Sequence, residues 1–222
     1  MVDTATQRLN MIESQVRPSD VVDRRIPVAM RAIPREKFVP PESQPIAYMD
    51  TDLQVGSSND SPRVLLAPRV LAKMIQHLEL EGTDIVLDIG CTTGYSTAVV
   101  SRIAQTVVGL EQEADFVKAS TANLQAVEAD NAVIVHGDLV DGHASEGPYD
   151  AILLNGAITA ELPMAILDQL KDGGRLVAIV GDQMRGQCMQ WRRIGGTFDS
   201  RWLFDAAAPV LPGFSPKAEF VF

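Results

Sequence analysis

Three acidic residues lie in or just after three short apolar runs, at spacings that suit the binding of a nucleoside. Asp88 lies in the run VLDIG, Glu111 ends the run at 106–111, and Asp138 follows the run at 132–136. The carboxyl ends of parallel strands meet at the edge of a sheet where open α/β sheets bind ligands, so we expect these carboxylates to lie close together. Glu111 can accept hydrogen bonds from both hydroxyls of a ribose, and Asp138 can accept one from an adenine amino group.

The turn after the first apolar run reads GCTTG at 90–94 and suits close approach to a ligand, because Gly90 and Gly94 carry no side chain. A dinucleotide fingerprint would need glycines at 90, 92 and 95, but Thr92 and Tyr95 occupy the last two positions. This argues against a nicotinamide cofactor. No basic residue lies within 88–101 to select a pyrophosphate. The carboxylates instead suit the sulfonium and ammonium charges of S-adenosylmethionine.

The spacing of strands and helices predicts how these residues are positioned. Apolar runs predict strands at 85–89, 106–111, 132–136, 150–154 and 174–180. Helical spacing predicts helices at 95–104, 113–128 and 161–170. Further strands, antiparallel, are predicted at 186–194 and 199–206, with a last strand at 218–222. The alternation predicts an α/β fold: a three-layer Rossmann-like sheet, mostly parallel, with antiparallel C-terminal strands and added N-terminal helices.

The N-terminal part of the chain has a different pattern. Helices are predicted at 4–16, at 20–33 with Asp20 as the N-cap, and at 68–80. The proline-rich segment 34–62 is predicted to be mostly loop. We therefore expect residues 1–80 to form a helical extension with a substrate loop, packed on a cofactor-binding core at 81–222. The extension could serve as a lid or as the contact of a homo-oligomer.

Composition and net charge argue against several classes of partner and of binding site. The net charge is −10 over 222 residues, which argues against nucleic acid or an anionic membrane as a partner. The two cysteines make no disulfide framework, and the three histidines show no spacing of metal ligands, so no metal is expected. Neither a secretory signal nor a membrane-spanning apolar run is recognisable. We expect a cytoplasmic protein.

Three stretches carry a family resemblance: PREKFVPP at 34–41, AYMDTDLQVG at 47–56 and VLDIGCTTGYSTAVV at 86–100. From about residue 11 to residue 222 the chain resembles protein-L-isoaspartate O-methyltransferases. The resemblance implies a class I methyltransferase fold, S-adenosyl-L-methionine as cofactor, and methylation of isoaspartyl residues in a protein or peptide, which begins their repair. The residues predicted to bind the cofactor are Asp88, Gly90, Cys91, Thr92, Gly94, Glu111, Gln112, Asp138, Leu139 and Asn155.

The chain departs from this family in the segment that faces the methyl acceptor. Where the family carries a stretch close to GQTISxP, this chain reads RVLLAP, so the family's Thr and Ser fall on Val64 and Leu66. An aliphatic side chain cannot replace a hydroxyl donor. Candidates for the substrate-facing role are Arg63, whose guanidinium can bind a carboxylate, Ser61 and Asn155. Two alternatives stay open: a different acceptor, such as a small carboxylate or another protein group, or cofactor binding without catalysis.

Overall fold

The central sheet has the expected topology. The computed structural model describes residues 3–58, 61–159 and 161–215. Its strands are β1 Leu53–Ser58, β2 Ser61–Leu65, β3 Ile85–Ile89, β4 Thr106–Glu111, β5 Ala132–His136, β6 Tyr149–Ile158, β7 Leu170–Gly181, β8 Gly186–Ile194 and β9 Thr197–Asp205. Seven of them form one sheet in the order β5-β4-β3-β6-β7-β8-β9. Strands β3 to β7 are parallel, and β8 and β9 are antiparallel.

These strands confirm the predicted α/β fold class. The predicted last strand at 218–222 lies outside the described residues. The helices of the described chain are α1 Thr4–Met11, α2 Arg25–Ala32, α3 Pro68–His77, α4 Tyr95–Val100, α5 Ala114–Ala126 and α6 Met164–Leu167.

Three helix predictions were wrong in their extent, one of them at 95–104, where α4 ends at Val100. The helix predicted at 161–170 is a single turn, because β7 already begins at Leu170, which pairs with Tyr149 of β6. Asp20 does not cap α2, which begins five residues later at Arg25. The side chain of Gln76 explains this delay. It donates to the carbonyl of Asp20 at 2.9 Å and accepts from the amide of Val22 at 2.6 Å, which holds the intervening chain outside the helix.

The segment predicted to be mostly loop, 34–62, contains β1 and the start of β2, and these two strands form an antiparallel hairpin that continues to Leu65. The hairpin is a separate two-stranded sheet. At its base Leu53 pairs with Leu65, and both side chains are buried. Farther out, Gly56 pairs with Arg63, beyond a register shift in β1. Strands of only five or six residues, without a regular alternation of buried positions in β1, are too short to separate from a loop by sequence pattern.

The central sheet is covered on both faces. Because successive strand residues point to opposite faces, Val86 and Leu87 belong to different hydrophobic clusters. The cluster around Val86 includes Met30 and Ile75 of the N-terminal helices. The cluster around Leu87 includes Ile166 of α6. Residues before position 80 therefore share a core with the sheet, and the division of the chain at that position stays a prediction.

Candidate functional site

The carboxylate of Asp88 is held in a buried hydrogen-bond network at the edge of the sheet. It lies near the end of β3 and is fully buried. Its Oδ2 accepts hydrogen bonds from Ser96 Oγ at 2.6 Å and Thr97 Oγ1 at 2.7 Å, both in α4. Burial raises the pKa of Asp88 to about 6, with a further rise from the nearby Glu111 charge, whereas the two hydroxyl donors lower it. Asp88 is therefore mostly charged at neutral pH.

Asn155 extends this network from β6. Its Nδ2 donates to Ser96 Oγ at 2.8 Å, so Ser96 links Asn155 to Asp88. Three buried oxygen atoms of this region have no hydrogen-bond partner among the described residues: Asp88 Oδ1, Asn155 Oδ1 and Thr92 Oγ1. Buried polar atoms in folded proteins nearly always have a partner. The set of free acceptors suits a ligand that brings hydrogen-bond donors, such as an ammonium group.

The glycine turn adopts the conformation that its sequence indicates. Gly90 and Gly94 have positive φ values of 78° and 90°, and Thr92 between them has a φ of 51°. A Cβ atom at position 90 would lie 2.9 Å from Leu211 Cδ2 and 3.4 Å from Arg63 Nη2. The space beside Gly90 is therefore filled by two side chains of the same protein.

Glu111 is fully buried at the end of β4 and is already paired. Its carboxylate forms a two-pronged ion pair with Arg63 of β2, at 2.9 Å from Nη1 to Oε1 and 2.6 Å from Nη2 to Oε2. The backbone amides of Thr92 and Gln112 also donate to it, each at 2.9 Å. The guanidinium of Arg63, considered as a partner for a substrate carboxylate, is thus held inside the protein by Glu111.

The hairpin that carries Arg63 is docked against α5 and the C-terminal segment. Ser58 Oγ donates to the carboxylate of Glu113. A Cβ atom at Gly56 would lie 2.7 Å from the ring of Phe116, and the same ring lies 5.5 Å from the Arg63 guanidinium. Ser61, the other substrate-facing candidate of the hairpin, donates through Oγ to the carbonyl of Val210 at 2.9 Å.

Val64 and Leu66, which the resemblance aligns with hydroxyl residues, pack with apolar neighbours. Leu66 is buried in the cluster around Val86, and its carbonyl accepts a hydrogen bond from Arg35 Nη2 at 2.9 Å. Val64 is partly buried against the same cluster and pairs with Gln54. Both side chains therefore serve packing.

The other predicted cofactor residues occupy three kinds of environment. Asp138 is exposed, whereas the adjacent Leu139 is buried in the cluster around Leu87. Gln112 is half-buried, and its Nε2 contacts Ser58 Oγ at 3.3 Å. Cys91 is fully buried, and burial raises the pKa of its thiol well above the usual value. The thiol is therefore protonated at neutral pH and unsuited to act as a nucleophile.

Three residues that complete the site were missed by sequence reasoning. Ser96 and Thr97 follow the glycine turn directly, and hydroxyls in the first turn of a helix after an acidic strand end are a signal that could have found them. Leu211 gave no such signal, because it lies far from Gly90 in the sequence and contacts it only in the folded structure. Its amide donates to the carbonyl of Ala157 at 2.8 Å, which places it beside the end of β6.

A groove opens next to the hairpin and offers a surface to a second molecule. Its volume is about 390 Å³, and it is lined by Ser61, Pro62, Asp182, Gln183, Met184, Pro209 and Val210. Within residues 3–58, 61–159 and 161–215, no three His, Cys, Asp or Glu side chains are grouped as metal ligands. Over the same residues, no helix combines the length and apolar character needed to cross a membrane.

The chain is similar to known proteins both in sequence and in fold. Residues 6–203 match the family model described as protein-L-isoaspartate(D-aspartate) O-methyltransferase. A protein-L-isoaspartate O-methyltransferase of Methanoculleus marisnigri is 38% identical over 175 residues, which is 79% of this chain and 77% of the relative.

Two solved structures show the same fold at low sequence identity. A protein-L-isoaspartate O-methyltransferase superposes with a TM-score of 0.79 at 22% identity, over 95% of this chain and 66% of that chain. A candidate protein-L-isoaspartate O-methyltransferase from Plasmodium falciparum, in complex with S-adenosyl-L-homocysteine, superposes with a TM-score of 0.76 at 21% identity. That match covers 92% of this chain and 97% of the other.

Proposed function

The chain belongs to the protein-L-isoaspartate(D-aspartate) O-methyltransferase family, and on that premise we propose that it methylates the free carboxylate of isoaspartyl residues in proteins. Members of the family use S-adenosylmethionine, which supplies an electrophilic methyl group when bound. The observation that carries the proposal is the buried network of Asp88, Ser96 and Asn155 beside the glycine turn, with its unpaired acceptor atoms.

We assign the unpaired acceptors to the amino-acid end of the cofactor. Asp88 is mostly ionised at neutral pH and attracts an ammonium group, and Asn155 Oδ1 and Thr92 Oγ1 offer further hydrogen-bond acceptors. Glu111 is assigned to the ribose hydroxyls, and the exposed Asp138 to the adenine amino group. Gln112, Cys91 and Leu139 line the same edge in this proposal, with Cys91 and Leu139 as packing residues.

Methyl transfer to a carboxylate needs little acid–base catalysis by the protein. The carboxylate of an isoaspartyl residue is ionised at neutral pH and is already a nucleophile. The protein has to hold the acceptor oxygen in line with the methyl group and exclude water, and positioning of this kind can lower a barrier by roughly 7–11 kcal/mol. We propose that the groove beside Ser61 and Val210 receives the peptide that carries this carboxylate.

One observation favours a second candidate, a different methyl acceptor. Val64 and Leu66 pack with apolar neighbours, and Arg63 is held by Glu111, so none of the three presents a free donor to an isoaspartyl carboxylate. A small carboxylate or another protein group would then replace the isoaspartyl residue. The homo-oligomer contact, one of two roles considered for the N-terminal extension, and the cytoplasmic location stay predictions.

Transfer of radiolabelled methyl groups from S-adenosylmethionine to matched peptides tests the proposal. A peptide with one isoaspartyl residue should be labelled, and the same peptide with aspartate should not. Calorimetry with S-adenosylmethionine separates the alternatives. Binding of the cofactor without labelling of either peptide would point to a different acceptor or lost catalysis, and failure to bind the cofactor would contradict the assigned function.

A further inference from the structure

The ion pair between Arg63 and Glu111 occupies the group that the proposed function assigns to the ribose. We propose that Arg63 competes with the cofactor for Glu111, so that the cofactor binds only after the outer part of the hairpin, residues 56–58 and 61–63, withdraws. This inference rests on the proposed function. It adds a gate residue to the cofactor site.

The carboxylate of Glu111 is fully occupied by hydrogen-bond donors of the protein. A carboxylate offers about four acceptor positions. Arg63 Nη1 and Nη2 take two of them, the amides of Thr92 and Gln112 take two more, and the amide of Glu113 makes a longer fifth contact at 3.4 Å. A ribose has two hydroxyls to donate, and no acceptor position is left for them while Arg63 stays in place.

Arg63 also packs against the glycine turn at Gly90. Positions without a Cβ atom are used where a ligand must approach the backbone closely. Here Arg63 Nη2 lies 3.4 Å and Leu211 Cδ2 lies 2.9 Å from the place of a Cβ at position 90. The guanidinium therefore contacts the turn as well as pairing the carboxylate, and Leu211, the nearer side chain at Gly90, has to shift as well.

The hairpin is built so that its outer part can move while its base stays. Leu53 and Leu65 anchor the base in the core. Among the described residues, β1 and β2 pair only with each other and not with the central sheet. A two-stranded hairpin alone is only marginally stable. Its outer part is held by Arg63 to Glu111, Ser58 to Glu113 and Ser61 to Val210.

The unpaired acceptors at the other end of the site offset part of the cost of opening the hairpin. Asp88 Oδ1, Thr92 Oγ1 and Asn155 Oδ1 have no partner among the described residues and are buried. They become accessible to the amino-acid end of the cofactor once the hairpin has withdrawn, and the ribose hydroxyls then replace Arg63 at Glu111.

Hydrogen exchange and calorimetry with S-adenosylhomocysteine test this gate. Backbone amides of 54–58, 61, 63 and 64 should exchange faster in the wild-type chain when the ligand is bound, the reverse of the protection that a ligand usually confers. Arg63→Gln should bind the ligand at least about tenfold more tightly, because the gate pair is lost and Glu111 is free. Arg69→Gln is the matched control, since Arg69 pairs with Asp50 on the surface. The affinity of this variant for S-adenosylhomocysteine should equal that of the wild type.

Each outcome has a definite meaning. Unchanged or slower exchange in the hairpin on ligand binding overturns the gate, and this measurement needs no variant. Equal or weaker binding by a folded Arg63→Gln chain also overturns it. Absence of binding by both wild type and variant contradicts the proposed function, and the gate with it, whereas equal binding by both contradicts the gate alone.

Discussion

Ser96 Oγ lies 2.6 Å from Asp88 Oδ2, and this hydrogen bond joins the first turn of α4 to the end of β3 at the glycine turn. Ser96 also accepts a hydrogen bond from Asn155 of β6. One hydroxyl thus connects three elements that surround the same edge of the sheet. The orientation of Asp88 and Asn155 depends on it.

Replacement of Ser96 by alanine should therefore damage both stability and ligand binding. The change removes one of two hydroxyl donors to Asp88 and leaves Asn155 Nδ2 without its acceptor. We expect the free energy of unfolding to fall by about 1–3 kcal/mol, the usual cost of a buried polar group left unpaired. Urea unfolding measures this loss, and calorimetry should show weaker binding of S-adenosylhomocysteine.

Ser101→Ala is the matched control for this change. Ser101 is also buried at the end of α4, but its Oγ donates only to the carbonyl of Ala98 in the same helix. We expect a loss below about 1 kcal/mol and unchanged ligand affinity. Equal effects of the two alanine variants would show that Ser96 does not organise the site.

Asp88 should make stability depend on pH. The pKa of Asp88 is about 6 in the folded protein because of burial, against 3.8 for the ordinary carboxyl. The folded chain therefore binds more protons than the unfolded chain between these values, and the contribution of Asp88 to stability falls as the pH rises through this window. Asp88→Asn removes the titration.

The difference in unfolding free energy between Asp88→Asn and wild type should accordingly change with pH. We expect it to shift in favour of the variant by about 2–3 kcal/mol from about pH 4 to about pH 7.5, at 1.36 kcal/mol for each pKa unit. Denaturant unfolding at both pH values measures this shift. A difference that is the same at both would contradict a raised pKa. Ligand affinity should fall in the variant, because a charge that attracts the ammonium is lost.

Arg175 should be essential for attaching α3 to the sheet. It lies in β7, and its Nη2 contacts Asp84 Oδ2 at 2.6 Å while the guanidinium also donates to the carbonyls of Leu78 and Glu79 after α3. Arg175→Met leaves the nearly buried carboxylate of Asp84 without its cation. We expect a loss of about 3–5 kcal/mol, typical of a broken buried ion pair.

Arg69→Met provides the comparison for this loss. Arg69 forms a surface ion pair with Asp50 at 3.3 Å, and its side chain is 54% exposed. Exposed pairs of this kind contribute about 0–1 kcal/mol. Thermal or urea unfolding of the two variants should differ clearly, and a similar small effect for both would mean that Arg175 is dispensable.

Sequence patterns predicted those parts of the fold that depend on local periodicity. The parallel strands around Asp88 and Glu111 are close to their predicted positions, because nearly continuous apolar runs are typical of strands that are buried on both faces. The short hairpin and the single-turn helix α6 were not predicted correctly. In such short segments, pairing with distant strands outweighs the local preference, as the contact of Leu170 with Tyr149 shows.

The sequence by itself determined the family, the glycine turn and the acidic residues at the strand ends, since these depend on residue types within a few positions of one another. Only the tertiary structure decided which of these groups are free. Arg63 meets Glu111 across 48 residues of chain, and Leu211 reaches Gly90 from the C-terminal segment. Contacts of this kind depend on how separate elements pack, so no local pattern encodes them. As a result, both terminal nitrogens of Arg63 bind Glu111 and neither is free to bind a substrate.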